Sequence, residues 1–246
     1  MKKIVLFISV LALAVGCQCN GNHSEEIVEV AQPLDTLAAV QAAKSLPEEP
    51  VFAIVTSMGV IKVRLFKDTP RHRDNFEKLA LAGYYDSLLF HRVIDGFMIQ
   101  GGDPFTRDSS KIDQWGMGGP KYTIPAEIFG ADSTLLHRHK KGALCAARRG
   151  DLANPFRESS GSQFYLVQNP DACTHLDSAY TVFGETVAGL NVIDKIARER
   201  TDRFDRPLSP VVIRSIRPDE ELNKKRLEEE QNQNDLAQNS QLNLTE

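Results

Sequence analysis

Phe90-His91-Arg92-Val93-Ile94-Asp95-Gly96-Phe97-Met98-Ile99-Gln100-Gly101-Gly102-Asp103 is the stretch that decides how this chain folds. Phe90, Val93, Ile94, Phe97, Met98 and Ile99 suit a buried sheet, and Asp95-Gly96 is a two-residue signal for a tight reversal. The spacing predicts a hairpin with Arg92 and Gln100 on its two arms. Gly101-Gly102 then allows a backbone turn that residues with a β-carbon resist. A permanent cation among apolar side chains costs free energy unless something pairs with it, so Arg92 is the first candidate for chemistry.

Working outward, the runs 51–56 and 60–66 flank a short Gly59-containing turn and predict a second hairpin. Lys62 and Arg64 alternate there with Ile61, Val63 and Leu65, as in a strand with one wet face. Thr69 is a good N-cap and Pro70 suits the first helical position, so a helix follows with Phe76, Leu79 and Ala80 on one face. Residues 104–120 form a polar, Gly-rich loop carrying Trp115. Strands are expected over 142–147, 161–167, 181–185 and 211–216. A polar excursion at 148–160 separates the first two, and a second helix carries Val192, Ile193, Ile196 and Ala197. Many short strands and two helices imply a mainly β fold, a closed antiparallel barrel or sandwich capped by helices.

The chain has 246 residues, 41% hydrophobic and 25% charged, enough for one substantial domain. A formal net charge of −4 offers no basic field, which argues against nucleic acid as a partner. Lys2 and Lys3 precede an apolar run too short to span a bilayer, so residues 1–16 read as a secretory signal. Small residues running up to Cys17 resemble a bacterial lipoprotein processing site, with Cys17 as the lipidated residue; the alternative is an ordinary cleaved signal. Residues 17–50 are expected to be a tether with little packing of their own. Residues 218–246 are rich in Glu, Lys, Gln and Asn and are expected to be disordered or a frayed helix. Cys145 and Cys173 fit no metal template and are expected to be two unpaired thiols, although in an oxidising envelope they could pair.

Residues 90–94 with 96–103, then Gly161-Ser162-Gln163-Phe164-Tyr165, Leu176-Asp177 and Val182-Phe183-Gly184, resemble cyclophilin-type peptidyl-prolyl isomerases in order and spacing. The resemblance covers residues 51–217. It implies a closed eight-stranded antiparallel barrel capped by two α-helices, acting on X-Pro bonds of peptides and of unfolded or secreted proteins, with no cofactor and no metal. It makes Arg92 the catalytic donor. Phe97, Met98, Tyr165 and Leu176 match the seat of the proline ring. Gln100 and Gln163 match positions that orient the arginine or bind substrate backbone. Ala147 and Arg148 match the strand end that pairs with the extended peptide, and His91 and Tyr180 match the groove lining.

The chain also departs from the pattern. Tyr165 stands where phenylalanine is common, and its hydroxyl needs a partner if buried. Tyr180 replaces a histidine and His175 a tryptophan, so the groove has its own chemistry. Arg148 and Arg149 raise the expectation of a preference for acidic substrates, whereas the run from His137 to Lys141 reads as a solvated loop. The expected protein is a monomeric lipoprotein of the bacterial envelope, with its domain in the periplasm or at the cell surface and touching the membrane only through its N-terminal lipid. The competing reading is a module or scaffold that binds proline segments without turnover.

Overall fold

The structure is a computed structural model that describes Ala42 and residues 45–242, with side chains to residue 237. The signal segment, Cys17 and the tether up to residue 44, Ala42 apart, lie outside the described residues. In chain order the elements are β1 (Val51–Thr56), β2 (Gly59–Leu65), α1 (Pro70–Leu81), β3 (Leu88–Leu89), β4 (Arg92–Ile94) and β5 (Met98–Gly101). After two 3₁₀ turns come β6 (Thr123–Ile124), β7 (Ala143–Ala146), β8 (Ser159–Ser160) and β9 (Phe164–Val167). A third 3₁₀ turn, Asp171–Leu176, leads to β10 (Val182–Ala188), α2 (Leu190–Ala197), β11 (Val212–Pro218) and α3 (Glu220–Leu242).

Nine strands form one antiparallel sheet in the order β3-β11-β1-β2-β10-β7-β9-β5-β4, and β6 pairs with β8 apart from it. Laid flat, nine strands would separate the two edges by about 38 Å. The edge strands β3 and β4 are joined by only Phe90 and His91, a span of at most about 11 Å from Leu89 to Arg92. The sheet must therefore curl until β3 and β4 lie near each other. This corrects the expectation of an eight-stranded closed barrel: the curled sheet has nine strands, and among the described residues β3 and β4 do not pair with each other. The chain itself bridges the seam, and the donor of Val93 on β4 is taken by the carbonyl of Asp205 at 2.8 Å.

Alternation along the strands splits the apolar residues into two cores. Ile99, Leu144, Ala146, Phe164 and Leu166 join the main core with Phe52, Phe76, Tyr85, Phe90 and Phe183. Their neighbours Met98, Ala143, Cys145, Tyr165 and Val167 point the other way and form a second core with Cys173 and Val182. Phe97, Leu176 and Tyr180 lie partly buried on that second core. The sheet thus presents a preformed apolar floor on its outer face.

Three local readings change. The hairpin register is Arg92↔Gln100, Val93↔Ile99 and Ile94↔Met98, which leaves three turn residues. Gly96 takes the left-handed conformation (φ +76°), as three-residue loops require, and Phe97 is freed from the strand to face the floor. Thr69 makes no side-chain cap on α1. The carboxylate of Glu127 caps it instead, accepting from the N–H groups of Arg71 and His72 at 3.1 Å each. The same carboxylate meets His72 Nδ1 at 2.6 Å, and His72 Nε2 reaches Ser159 Oγ at 2.9 Å. Burial pushes the Glu127 carboxyl up, but these donors outweigh it and hold it below the usual range.

The third change is at the ends. Residues 220–242 are helical, and the first turns of α3 are tied to the sheet. Asn223 is buried, accepts from Val51 N–H at 2.7 Å and donates to the Val51 carbonyl at 2.9 Å. Its amide supplies the two bonds that a further strand would have offered. Asp219 accepts from Leu222 N–H and pairs with Lys62 at 2.7 Å, and Glu49 bridges Arg64 (3.7 Å) and Arg226 (3.2 Å). Leu46 packs on the main core, so residues 46–50, assigned to the tether on composition, lie against the domain.

Candidate functional site

β4 and β5 carry Arg92 and Gln100 as a cross-strand pair, and β9 places Tyr165 opposite Gln100. Arg92 Nη1 donates to Gln100 Oε1 at 3.4 Å, and Gln100 Nε2 donates to Gln163 Oε1 at 3.0 Å. Gln163 Nε2 in turn donates to the carbonyls of Gly116 (2.9 Å) and Gly118 (2.7 Å). On its other edge Arg92 Nε lies 3.6 Å from Asp205 Oδ2. The guanidinium is thereby held from two sides while its side chain stays 42% exposed.

The far end of this relay rests on a buried carboxylate. Asp103 has no exposed surface; it accepts from Phe105 N–H at 2.7 Å, from Gly118 N–H at 3.2 Å and from Gly116 N–H. The loop that receives Gln163 is thus pinned by Asp103. Gly102 lets the strand approach: a Cβ there would stand 2.3 Å from the Ser162 carbonyl, and its φ is +87°.

Beside Arg92 lies a cavity of about 250 Å³ lined by Phe97, Met98, Gln100, Ala147, Tyr165 and Leu176, with Arg148, His175 and Tyr180 on its rim. Every residue expected at a proline seat is on its wall. A second cavity of about 560 Å³ adjoins it through Gln100, Ala147 and Arg148, and runs between residues 116–123 and 149–161. The backbone of Ala147 is spent internally, its N–H on Gln163 O (3.0 Å) and its carbonyl on Ser160 N–H (2.8 Å). This corrects the expectation that Ala147 pairs with a peptide. Arg148, one residue on, has N–H and C=O groups without partners among the described residues.

The Arg148 side chain is not the free cation expected for acidic substrates. It is 4% exposed, donates to Asp151 Oδ1 at 2.6 Å and to the Ala179 carbonyl at 2.8 Å, and lies 4.3 Å from the Tyr180 ring centroid. Only Arg149 of the pair is free to face solvent.

The partner that Tyr165 needs is His139. Its Nε2 lies 2.8 Å from the Tyr165 hydroxyl and its Nδ1 2.8 Å from Asp177 Oδ1. His139 is buried, which corrects the solvated reading of the 137–141 run at that position. His137 likewise stacks on Phe66 at 3.9 Å and meets Asp68 at 2.7 Å. Burial pushes His139 below the usual histidine range against the opposing pull of Asp177. The hydroxyl is turned away into this pair, so the Tyr165 ring still offers the cavity an apolar face. Cys145 and Cys173 are buried free thiols under the same floor.

His91 does not line either cavity; it is buried behind Gly116 with neither ring nitrogen paired among the described residues. Burial lowers its pKa from 6.5 to about 4, against the attraction of Asp103 and a nearby Leu89 backbone group too poorly aligned to be a hydrogen bond, and helped by Arg92. Between those values the unfolded chain binds the proton and the folded one does not, so stability falls as pH drops from 6.5 towards 4. The difference is worth about 3 kcal/mol. Glu77, raised by burial to about 7, acts with the opposite sign over part of this range. Urea titrations at pH 7 and pH 4 are therefore expected to show a loss in the wild type larger by about 3 kcal/mol than in His91→Gln. Equal losses would contradict the assignment.

Fold and site together define a class: a curled antiparallel sheet with a hydrogen-bonded guanidinium beside a cavity that has an apolar floor and room for a small ring. Residues 51–218 match the family described as cyclophilin type peptidyl-prolyl cis-trans isomerase/CLD. A peptidyl-prolyl cis-trans isomerase-like 2 of Rhizopus delemar is 37% identical over 174 residues, covering 70% of this chain and 30% of that protein. The Arabidopsis thaliana isomerase CYP18-1 is 35% identical over 162 residues, 65% of this chain and 91% of the relative. A crystal structure of a cyclophilin type isomerase from Cryptosporidium parvum superposes with a TM-score of 0.58 at 26% identity, covering 69% of this chain and 97% of that one. The chain belongs to the cyclophilin-type peptidyl-prolyl cis-trans isomerase family.

Proposed function

We propose that the chain catalyses cis/trans isomerisation of X-Pro bonds in peptides and unfolded proteins. The observation that carries this is Arg92, held by Gln100 and Asp205 beside a cavity whose apolar floor is made by Phe97, Met98, Tyr165 and Leu176. The rotation barrier of about 18–20 kcal/mol arises from amide resonance, so the enzyme must favour the twisted state in which resonance is lost. In that state the prolyl nitrogen becomes basic, and the Arg92 fork donates to it. The cavity grips the ring while the preceding residue turns, and the free backbone groups of Arg148 pair with the extended peptide. Acceleration follows only because these contacts are stronger in the twisted state than in either planar isomer. A related Cryptosporidium protein was crystallised in the presence of the dipeptide Ala-Pro, which supports the same substrate class here. The test is isomerisation of a proline-containing tetrapeptide; a rate equal to the uncatalysed one would refute the reading.

We further propose that the chain is a monomeric envelope lipoprotein anchored through Cys17, on the strength of the apolar run that ends at that cysteine. Mass spectrometry of the mature N-terminus should find a diacylated Cys17. An unmodified N-terminus elsewhere would contradict it.

A further inference from the structure

The segment from Arg148 to Glu158 is a loop braced by internal ion pairs and hydrogen bonds that exposes apolar side chains. Asp151 is gripped by Arg148 (2.6 Å) and Arg157 (3.0 Å), and Arg157 Nη1 reaches the Ser178 carbonyl at 3.4 Å. The Asn154 amide accepts from Glu158 N–H (3.1 Å) and donates to its carbonyl (2.7 Å). The loop's polar groups are thus largely satisfied within the protein. Leu152 is nonetheless fully exposed and Phe156 84% exposed. Ala153 and Asn154 of the same loop line the 560 Å³ cavity, as do Arg149 and Glu158, so the loop that carries both side chains forms part of its wall. That cavity shares Gln100, Ala147 and Arg148 with the Arg92 cavity as common walls.

We infer that Leu152 and Phe156 form a second contact for the client, taking up apolar side chains of an unfolded polypeptide whose X-Pro bond occupies the Arg92 cavity. The inference rests on the isomerase reading above and names the substrate class it favours. An extended chain is the occupant that fits. A chain lying along the unpaired backbone of Arg148 passes directly from one cavity to the lip of the next. A folded partner needs about 800 Å² of matching surface, more than a leucine and a phenylalanine supply. Arg148 is committed to Asp151, and Lys121, Arg149 and Glu158 are the other charged residues that line the larger cavity.

The test uses the full chain and the double variant Leu152→Ser/Phe156→Ser, both positions being exposed. Turnover of a proline-containing tetrapeptide is expected to stay within twofold of wild type. Catalysed refolding of a reduced, carboxymethylated ribonuclease, limited by prolyl isomerisation, is expected to fall about tenfold in kcat/KM through KM. Unchanged refolding overturns the inference, and so does an equal loss on both substrates, which would mark the loop as structural. A wild type inactive on the tetrapeptide refutes the isomerase reading instead. The contact is then decided by fluorescence anisotropy of a second probe that stays unfolded, a labelled reduced and carboxymethylated α-lactalbumin: a tenfold weaker Kd in the variant supports it and an equal Kd overturns it. A wild-type dimer that the variant dissociates, seen by sedimentation, would assign the loop to self-association and overturn it too.

Discussion

Replacing Arg92 with lysine is expected to lower kcat/KM for a proline-containing peptide by about 10²–10³-fold, the usual cost of losing one preorganised donor. Lysine keeps the charge but not the planar fork that Gln100 and Asp205 hold in direction, so the donor no longer points at one place. Stability should hardly move. Arg92 and Asp205 are 42% and 45% exposed, and exposed ion pairs contribute only about 0–1 kcal/mol. Peptide affinity should also persist, because the cavity walls of Phe97, Met98, Tyr165 and Leu176 are untouched. Peptide kinetics beside a urea titration separate these outcomes. A loss of turnover matched by a loss of several kcal/mol would make Arg92 a structural residue.

Asp103→Ala should have the opposite signature, with both stability and turnover falling. The substitution leaves the N–H groups of Phe105, Gly116 and Gly118 without their acceptor. Hydrogen bonds to a charged group contribute about 1.5–3 kcal/mol each, and three that share one carboxylate are not additive, so a cost of about 3–5 kcal/mol is expected. Asparagine is no rescue, since its NH₂ would face N–H donors. Once the loop is released, Gln163 loses the Gly116 and Gly118 carbonyls, and the relay through Gln100 no longer fixes Arg92. Amide hydrogen exchange at Gly116 and Gly118 should accelerate well beyond the global loss. A change of 1 kcal/mol or less with full activity would show that the relay ends at Gln163.

The central hairpin was legible because its information is local. Apolar alternation and Asp95-Gly96 put Arg92 and Gln100 on the two arms of a hairpin, but the two-residue turn they signal would set Arg92 across from Ile99; the three-residue turn that includes Phe97 sets it across from Gln100. The proline seat was legible through resemblance, as Tyr165 and Leu176 lie far from the hairpin in sequence. What escaped were polar residues whose partners are remote. Asp103 had a signal, an aspartate before Pro104 that suits an N-cap, but nothing in the sequence ties it to glycines at 116 and 118. His139 was hidden in a basic run, although the need for a partner to a buried Tyr165 hydroxyl pointed to some such residue. Asp205 and Glu127 act across loops, where composition says nothing of distance. The strand count failed for a related reason, because β3, β6 and β8 have two residues each and no periodicity to read.

Exchange NMR on an Ala-Pro peptide bears most directly on the claim that Arg92 and its cavity catalyse prolyl rotation. With the full chain present, exchange cross-peaks between the cis and trans forms are expected at rates far above the uncatalysed tens to hundreds of seconds. With Arg92→Ala those peaks should vanish while peptide shifts on titration still report binding. Cross-peaks of equal strength with both proteins, or none with the wild type, would contradict the account.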